Sequence, residues 1–215
     1  MAREFIKGNE AIGKSAIMAG CRFYVGYPIT PQNDVPEFMS RELPKVNGTF
    51  LQGESEVASA NILNGANATN VRAMTTTSGP GLSLMAEGIS FACGCEIPNV
   101  YVDVARPGPG MGGIDAAQDD YFYVVKGPGN GGGRPFVMSP DCVQELVDQV
   151  YEAFDIADKY RTPVVILSDA VVGQSMEIVD MPEMRSLDSL PDRSSWCLSE
   201  RSNDSMADRR MLTSI

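Results

Sequence analysis

Three short segments place reactive side chains and glycines where an apolar run gives way to a helix-like stretch. These segments are Tyr27–Pro31, Gly53–Glu56 and Thr77–Gly81. In an open parallel α/β sheet, the junctions from strand to helix line the ligand crevice. We therefore expect a hydroxyl, a carboxylate and a glycine-rich loop to converge on one edge of the fold.

The composition excludes several common catalytic chemistries. The 215 residues include no histidine, so histidine-based catalytic triads and histidine-ligated metal sites are excluded. Any general acid or base must then be a carboxylate, Lys, Tyr, Cys or a bound cofactor. Carboxylates are present in the second segment, as Glu54 and Glu56.

Charge and cysteine content narrow the class of protein further. The formal net charge is −11, which argues against nucleic acid as a partner, because phosphate binding needs a basic face. The five cysteines include no C-x-x-C pair, so no zinc or Fe–S site is predicted in this chain. Their odd number and a start without a signal peptide favour reduced thiols. We expect a cytoplasmic protein without a membrane span.

The three segments need a framework of strands and helices to position them. Short apolar runs alternate with helix-like stretches, which predicts an α/β fold with a doubly wound, mostly parallel sheet and helices on both faces. The clearest helix covers 141–159, starting at Asp141, and the clearest strand is Val164–Leu167. Ser55 is the expected N-cap of another helix. Further strands are predicted at 23–25, 49–51, 71–75 and 100–104, and further helices after residue 9 and at 33–43 and 82–92.

Five motifs follow one another along the chain: Gly8–Ala11, Gly26–Asn33, Glu54–Ala58, Ser78–Gly81 and Asp158–Val164. In this order they resemble the alpha-type subunit of 2-oxoacid:ferredoxin oxidoreductases, specifically its thiamine-diphosphate pyrimidine-binding domain. The resemblance covers about residues 4–182 and implies the thiamine-diphosphate-binding fold. The sequence Pro-Gln-Asn at 31–33 and Gly-Gln-Ser-Met at 173–176 resembles the branched-chain (2-oxoisovalerate, or 3-methyl-2-oxobutanoate) enzymes slightly more than the 2-oxoglutarate enzymes.

The resemblance implies roles for three side chains. Glu56 matches the glutamate that hydrogen-bonds N1′ of the cofactor's aminopyrimidine and favours the imino tautomer, whose nitrogen removes the C2 proton. Glu54 is a nearby competitor, and Glu56 could instead only complement a helix dipole. Thr30 matches a threonine that contacts the 2-oxoacid, although it also suits a rigid turn between prolines. Arg106 matches an arginine that pairs with the substrate carboxylate, the alternative being a surface arginine.

Two glycine-containing loops complete the expected site. The Ser78–Gly81 loop would let the backbone approach the cofactor closely, or it could be an ordinary turn. The Gly108–Gly113 loop lacks the G-K-[ST] ending of a phosphate-binding loop, so we expect a mobile active-site loop instead. Asn130 stands where the family more often has histidine. The cofactor-binding residues implied by the resemblance are Glu56, Ile29, Ser78, Gly79, Pro80 and Gly81.

Half of the expected cofactor site is missing from the sequence. The chain has no Gly-Asp dipeptide, whereas the family holds the diphosphate through Mg²⁺ with a Gly-Asp-Gly signature. The resemblance therefore implies a beta-type subunit that binds Mg²⁺ and the diphosphate, and a ferredoxin-like subunit that carries Fe–S clusters. Together they would decarboxylate a 2-oxoacid, pass two electrons to ferredoxin and transfer the acyl group to coenzyme A. The chain alone is expected to catalyse nothing.

Residues 183–215 differ in character from residues 1–182. They lack periodicity and contain eight serines among Asp and Arg, which predicts a disordered tail. We therefore expect the pyrimidine-binding domain to cover 1–182. In the family a further α/β domain normally follows, and either a natural short variant or a truncated or frameshifted reading frame would account for a tail in its place.

Substrate and reaction type stay open at this point. Branched-chain 2-oxoacids lead, followed by 2-oxoglutarate and then pyruvate, because side-chain pockets discriminate small apolar groups by only about 1–3 kcal/mol. One alternative is a subunit of a non-redox thiamine-dependent decarboxylase of the sulfopyruvate type, which needs neither ferredoxin nor coenzyme A. The other is a non-catalytic truncated domain.

Overall fold

The computed structural model describes residues 2–198, in which short strands alternate with helices. The strands are β1 Ala2–Lys7, β2 Phe23–Gly26, β3 Thr49–Gln52, β4 Ala73–Thr77, β5 Val100–Ala105, β6 Phe136–Met138, β7 Val164–Asp169 and β8 Met176–Met181. The helices are α1 Gly8–Met18, α2 Asp34–Glu42, α3 Glu56–Asn67, α4 Pro80–Leu84, α5 Ala86–Gly94, α6 Tyr121–Lys126, α7 Val143–Tyr160 and α8 Ala170–Gln174. Two short 3₁₀ helices lie at Leu43–Val46 and Leu187–Ser189.

Six of the strands form one parallel sheet, in the order β3-β2-β4-β5-β7-β6. The predicted doubly wound, mostly parallel α/β fold is thus confirmed. The first and last strands form a separate antiparallel ribbon, with Ala2 opposite Met181 and Lys7 opposite Met176. This ribbon was not predicted from the sequence.

Apolar side chains bury both faces of the sheet. One cluster joins the sheet to α1, α2 and α7, and includes Ile12, Met39 and Val150. A second cluster joins the opposite face to α3, α4 and α5, and includes Leu63 and Leu82. Because both faces are covered, strands such as β5 and β7 are almost wholly buried, as their continuous apolar runs indicate.

Helix starts follow the capping chemistry only in part. The side chain of Ser55 accepts a hydrogen bond from the backbone N–H of Ala58 at 3.2 Å, so Ser55 is the N-cap of α3 as predicted. The start of α7 differs from the expectation of Asp141. Its N-cap is Cys142, whose sulfur accepts from the backbone N–H of Glu145 at 3.5 Å. The backbone of Cys142 is extended, so the helix begins only after it.

The strand predicted at 71–75 lies two residues further along, as β4. The predicted and observed strands share residues 73–75, and β4 continues through three buried threonines, Thr75–Thr77. The buried hydroxyl of Thr76 has hydrogen-bond partners, since it is bonded to the side chains of Tyr24 and Gln32. The helix predicted at 82–92 is likewise divided at Met85 into α4 and α5.

The segment after β8 differs from the disordered tail that was predicted for residues 183–215. Residues 183–198 pack against the domain: Arg193 and Cys197 are buried, and Leu198 donates its N–H to the carbonyl of Ala68 at 2.7 Å. Disorder was expected because the segment is rich in serine and charge. Arg193 meets the cost of burial by pairing with the buried carboxylate of Asp158. Residues 199–215 of the predicted tail lie outside the described residues.

Replacing Arg193 by Ala should destabilise the domain. Arg193 donates to the carbonyl of Val71 at 2.7 Å and pairs with Asp158, which also binds Arg72 at 2.7 Å. Leaving a buried charge short of one partner costs about 3 kcal/mol, and urea denaturation would measure this loss. The control is Arg3→Ala, because Arg3 makes an exposed ion pair and should change the free energy of unfolding by less than about 1 kcal/mol. Equal effects of the two substitutions would contradict the expectation.

Candidate functional site

The carboxyl ends of four neighbouring strands bring the sequence-selected segments together. Gly53–Glu56 follows β3, Tyr27–Pro31 follows β2, Ser78–Gly81 follows β4, and Arg106 follows β5. These strands are adjacent in the order β3-β2-β4-β5. The segments therefore share one edge of the sheet, where parallel α/β folds place their ligands.

The two carboxylates of the first segment differ in environment. Glu56 is the first residue of α3 and is only 5% exposed. Glu54 is exposed, and its carboxylate accepts a hydrogen bond from the Ser55 hydroxyl at 3.0 Å. Only Glu56 is therefore held inside the edge of the fold.

Gly81 allows the loop after β4 to press against Glu56. A Cβ atom at Gly81 would lie 2.8 Å from Oε1 of Glu56 and 2.1 Å from Oγ1 of Thr77, both too short for a real side chain. The hydroxyls of Thr77 and Ser78 are buried and have no hydrogen-bond partner within the described residues. Buried polar atoms normally have a partner, so a polar group bound beside Glu56 fits this place. Thr77 begins one of the three segments selected from the sequence, but the sequence analysis assigned no role to its hydroxyl.

The Ser78–Gly81 loop is held from behind by the neighbouring strand. Gly79 has φ +30°, and its backbone N–H donates to Oδ1 of Asp103 at 3.1 Å. Pro80 is the first residue of α4, a position that suits its fixed φ and missing N–H. The loop is thus a fixed turn at the edge of the sheet, close to Glu56.

The turn after β2 is fixed by side chains that are distant in sequence. The carbonyl of Pro31 accepts hydrogen bonds from Nδ2 of Asn9 at 2.8 Å and from Nε2 of Gln174 at 2.9 Å. The next residue, Gln32, is fully buried, and its side chain donates a hydrogen bond to the carbonyl of Tyr27 at 3.3 Å. The sequence analysis assigned no role to these three polar side chains, although Asn9 and Gln32 lie in two of the five motifs and Gln174 lies in the Gly-Gln-Ser-Met sequence.

The predicted pair of Thr30 and Arg106 is in direct contact. Nη1 of Arg106 donates to the carbonyl of Thr30 at 2.7 Å, and Nη2 donates to the carbonyl of Met111 at 2.9 Å. Arg106 is 8% exposed, so it is not a surface arginine, and its Nε has no partner within the described residues. The hydroxyl of Thr30 lies at an exposed position and accepts from Asn33 at 3.3 Å. Ile29 is half-buried in the same turn.

A further glycine-rich loop, Gly129–Gly133, contains Asn130 and lies elsewhere. The hydroxyl of Ser90 on α5 donates to the carbonyl of Asn130 at 2.8 Å, and Gly129 packs against Ala86 on the same helix. This loop thus rests on α5, whereas Arg106 is bonded to the loop that contains Met111. The position where the family more often has histidine belongs to the α5 side of the domain.

Comparison with known proteins places this geometry in a family. The family model described as "Pyruvate flavodoxin/ferredoxin oxidoreductase, thiamine diP-bdg" matches residues 14–209. The chain belongs to this thiamine-diphosphate-binding family. The resemblance found in the five motifs is thereby confirmed.

Two relatives show how much of this family's subunits the chain covers. It is 49% identical over 198 residues to the ketoisovalerate oxidoreductase subunit VorB of Methanothermobacter thermautotrophicus, covering 92% of this chain and 56% of that protein. It is 44% identical over 179 residues to the 2-oxoglutarate synthase subunit KorA of Methanocaldococcus jannaschii, covering 83% of this chain and 49% of that protein. The chain thus spans about half the length of the curated relatives it matches.

A solved structure supports the fold of this family member. The 2-oxoglutarate:ferredoxin oxidoreductase from Magnetococcus marinus, solved with 2-oxoglutarate, coenzyme A and succinyl-CoA bound, matches with a TM-score of 0.81 at 35% identity. The match covers 84% of this chain and 32% of that chain. Within residues 2–198 no helix is long and apolar enough to cross a membrane.

Proposed function

We propose that this chain supplies the aminopyrimidine half of a thiamine diphosphate site in a 2-oxoacid:ferredoxin oxidoreductase. The observation that carries the proposal is the buried carboxylate of Glu56, pressed against the bare Gly81 at the edge where Thr30 meets Arg106. The assembled enzyme would convert a 2-oxoacid and coenzyme A to acyl-CoA and CO₂, and pass two electrons to ferredoxin.

The residues at this edge fit the aminopyrimidine. Thiamine diphosphate, when bound, supplies the carbon nucleophile and electron sink that decarboxylation of a 2-oxoacid needs. Glu56 would accept a hydrogen bond from N1′ and so hold the ring in its imino form. Gly79, Pro80 and Gly81 would let the backbone approach the ring, with the unpartnered hydroxyl of Ser78 nearby and Ile29 on the opposite turn.

Thr30 and Arg106 would bind the 2-oxoacid. A guanidinium has five N–H donors, and in this structure Arg106 uses Nη1 and Nη2 for one backbone carbonyl each. The unused donors suit a carboxylate, which arginine binds in bidentate geometry. The carbonyl of Thr30 fixes the guanidinium while its hydroxyl stays at the exposed end of the turn. A carboxylate and the adjacent keto group could thus be bound side by side.

Other subunits would complete the enzyme. The chain has no Gly-Asp dipeptide, so we propose that a beta-type subunit binds Mg²⁺ and the diphosphate, and that a ferredoxin-like subunit carries the Fe–S clusters. The relatives are themselves named as subunits. The cytoplasm remains the proposed location, because the odd number of cysteines favours reduced thiols.

Branched-chain 2-oxoacids are the proposed substrates. The chain is 49% identical to a relative named for ketoisovalerate and 44% identical to one named for 2-oxoglutarate. The 2-oxoglutarate specificity is therefore the second candidate. A non-redox thiamine-dependent decarboxylase and a non-catalytic domain are the remaining alternatives, and the following experiment separates all four.

The test is anaerobic co-expression with the beta-type and ferredoxin-like subunits, followed by viologen reduction with thiamine diphosphate, Mg²⁺ and coenzyme A. We expect reduction that depends on a branched-chain 2-oxoacid and on coenzyme A. Viologen reduction with 2-oxoglutarate but not with branched-chain 2-oxoacids would identify 2-oxoglutarate as the substrate. Release of CO₂ without viologen reduction would indicate the non-redox enzyme. A stable complex without either reaction would contradict the proposal.

Gly81→Ala should weaken binding of thiamine diphosphate to the complex. The added methyl would collide with Thr77 and Glu56, and inserting an extra methyl into a packed site costs about 1–3 kcal/mol. We therefore expect the dissociation constant, measured by calorimetry, to rise by about 10- to 100-fold. The matched control is Gly65→Ala in α3, where an added Cβ meets no atom within 4 Å. Equal affinities of the two variants would contradict the role of Gly81.

A further inference from the structure

A buried carboxyl group lies directly behind the Ser78–Gly81 loop. Asp103 on β5 is fully buried, and its Oδ1 accepts the backbone N–H of Gly79 at 3.1 Å. Its other oxygen, Oδ2, is buried and receives no N–H or hydroxyl donor from residues 2–198. Asp103 lies three residues before Arg106, at the root of the segment 107–120.

A second carboxyl group, that of Asp120 at the far end of this segment, also lies near the Ser78–Gly81 loop. Asp120 directly precedes α6, yet its side chain makes no capping hydrogen bond to the helix. Its Oδ2 is buried and likewise has no N–H or hydroxyl donor within the described part of the chain. Both carboxyl groups lie beside Gly79, whose N–H binds Asp103 and where a Cβ atom would lie 3.5 Å from Oδ2 of Asp120. Two adjacent carboxyl groups can form a bridge through one shared proton only when one of them keeps its proton.

The surroundings of the pair favour the shared proton. Burial, followed by the charge of Asp120, raises the pKa of Asp103 well above its ordinary value. Burial also raises the pKa of Asp120; the interaction with Asp103 opposes this increase, Asp119 adds to it, and Arg106 opposes it. Burial and both carboxyl groups raise the pKa of Tyr123 to about 12, so its hydroxyl stays neutral. The bridge is therefore intact at low pH and is lost as the pH rises through the raised pKa of the pair.

The pair lies next to Arg106. Arg106 and Asp120 both approach Gly79, because a Cβ atom there would lie 3.7 Å from Cγ of Arg106 and 3.5 Å from Oδ2 of Asp120. The segment is also bonded to itself: Arg106 donates to Met111, and the N–H of Gly108 donates to Asp119 at 3.3 Å. Fixing Asp120 therefore fixes the surroundings of the guanidinium.

We propose that Asp103 and Asp120 are positioning residues, which share one proton to bridge the segment 107–120 to the Ser78–Gly81 loop and so orient Arg106. The role of Arg106 toward the 2-oxoacid rests on the proposed function. The bridge itself does not, because it is formed wholly within this chain. A pH-dependent attachment of the segment follows from the bridge alone.

Hydrogen–deuterium exchange of the full chain tests the bridge without cofactor, substrate or partner subunits. In Asp120→Ala, the amides of 107–119 should exchange about 10- to 100-fold faster than in the wild type, as expected for loss of a charge-assisted hydrogen bond. In the wild type, exchange corrected for its intrinsic pH dependence should accelerate as the pH rises. Asp120→Asn should remove this pH dependence, because an amide can donate to the carboxylate of Asp103 and can accept from its carboxylic acid, and so pairs with either form. The charge-matched control is Asp115→Asn, at an exposed position of the same segment.

Several results would overturn the proposal. Unchanged exchange in Asp120→Ala would do so, as would the same pH profile in the wild type and Asp120→Asn. The exchange of the β7 amides reports whether each variant is folded. If Asp120→Ala does not fold, the comparison of the pH profiles of the wild type and Asp120→Asn still tests the proposal. In the assembled enzyme, Asp120→Ala should raise KM for the 2-oxoacid by a larger factor than it lowers kcat. A correct exchange result without activity would contradict the proposed function and leave the bridge intact.

Discussion

Replacing Glu56 by Gln is expected to lower the turnover of the assembled complex by about 10²–10⁴-fold, the usual contribution of a positioned acid–base group. The side chain of Gln has the same shape but does not hold the negative charge that stabilises the imino form of the aminopyrimidine. Because Glu56 is 5% exposed and lies against Gly81, there is little room for a water molecule to take over the hydrogen bond that its carboxylate would make. Viologen reduction under saturating substrate would measure the loss.

The matched control for this prediction is Glu54→Gln. Glu54 is two residues away and exposed, and within residues 2–198 its side chain is bonded only to the hydroxyl of Ser55. We expect its replacement to change turnover by less than about threefold, as for a typical exposed charge. A large loss in Glu54→Gln with near-normal turnover in Glu56→Gln would reverse the assignment of the two carboxylates.

Replacing Arg106 by Lys is expected to lower kcat/KM for the 2-oxoacid by about 30- to 1000-fold, mostly through KM. Lysine lacks the planar fork that binds a carboxylate with two N–H donors. It would also lose at least one of the bonds to the carbonyls of Thr30 and Met111. Losing one partner of a buried charge pair costs about 2–4 kcal/mol, which corresponds to this range. Steady-state kinetics over a range of 2-oxoacid concentrations would measure it.

Arg134→Lys provides the control for Arg106, because Arg134 is exposed and follows the loop Gly129–Gly133. It should leave kcat/KM within about twofold of the wild type. If Arg106→Lys lowered kcat at saturating substrate while KM stayed normal, Arg106 would act on the chemical step, and its proposed contact with the substrate carboxylate would be wrong.

Local patterns were sufficient to predict the main sheet and the meeting of the site segments. Five of the six parallel strands overlap predicted strands, whereas β6 was not predicted. Each functional segment directly follows one of the predicted strands, so the order of elements along the chain implied their common edge. Ser55 followed from capping chemistry alone. The identities of Glu56, Thr30 and Arg106 came from the family resemblance, and their roles remain predictions.

Pairings between distant residues could not be predicted from local patterns. The ribbon of β1 and β8 joins residues nearly the whole described chain apart, such as Ala2 and Met181. Burial of Arg193 depends on Asp158, 35 positions away, so composition alone suggested disorder there. The Asp103–Asp120 pair likewise links a strand to the end of an irregular segment. In each case the partner lies far away in sequence, and the neighbours of a residue do not reveal it.

The central claim, that Glu56 activates the aminopyrimidine, is tested most directly by deuterium exchange at C2 of thiamine diphosphate bound to the complex. Nuclear magnetic resonance after acid quenching would give the rate in the absence of 2-oxoacid. We predict rapid exchange in the wild type and in Glu54→Gln, and exchange slower by about 10²-fold or more in Glu56→Gln. Exchange at the wild-type rate in Glu56→Gln, with the cofactor bound, would contradict the assignment.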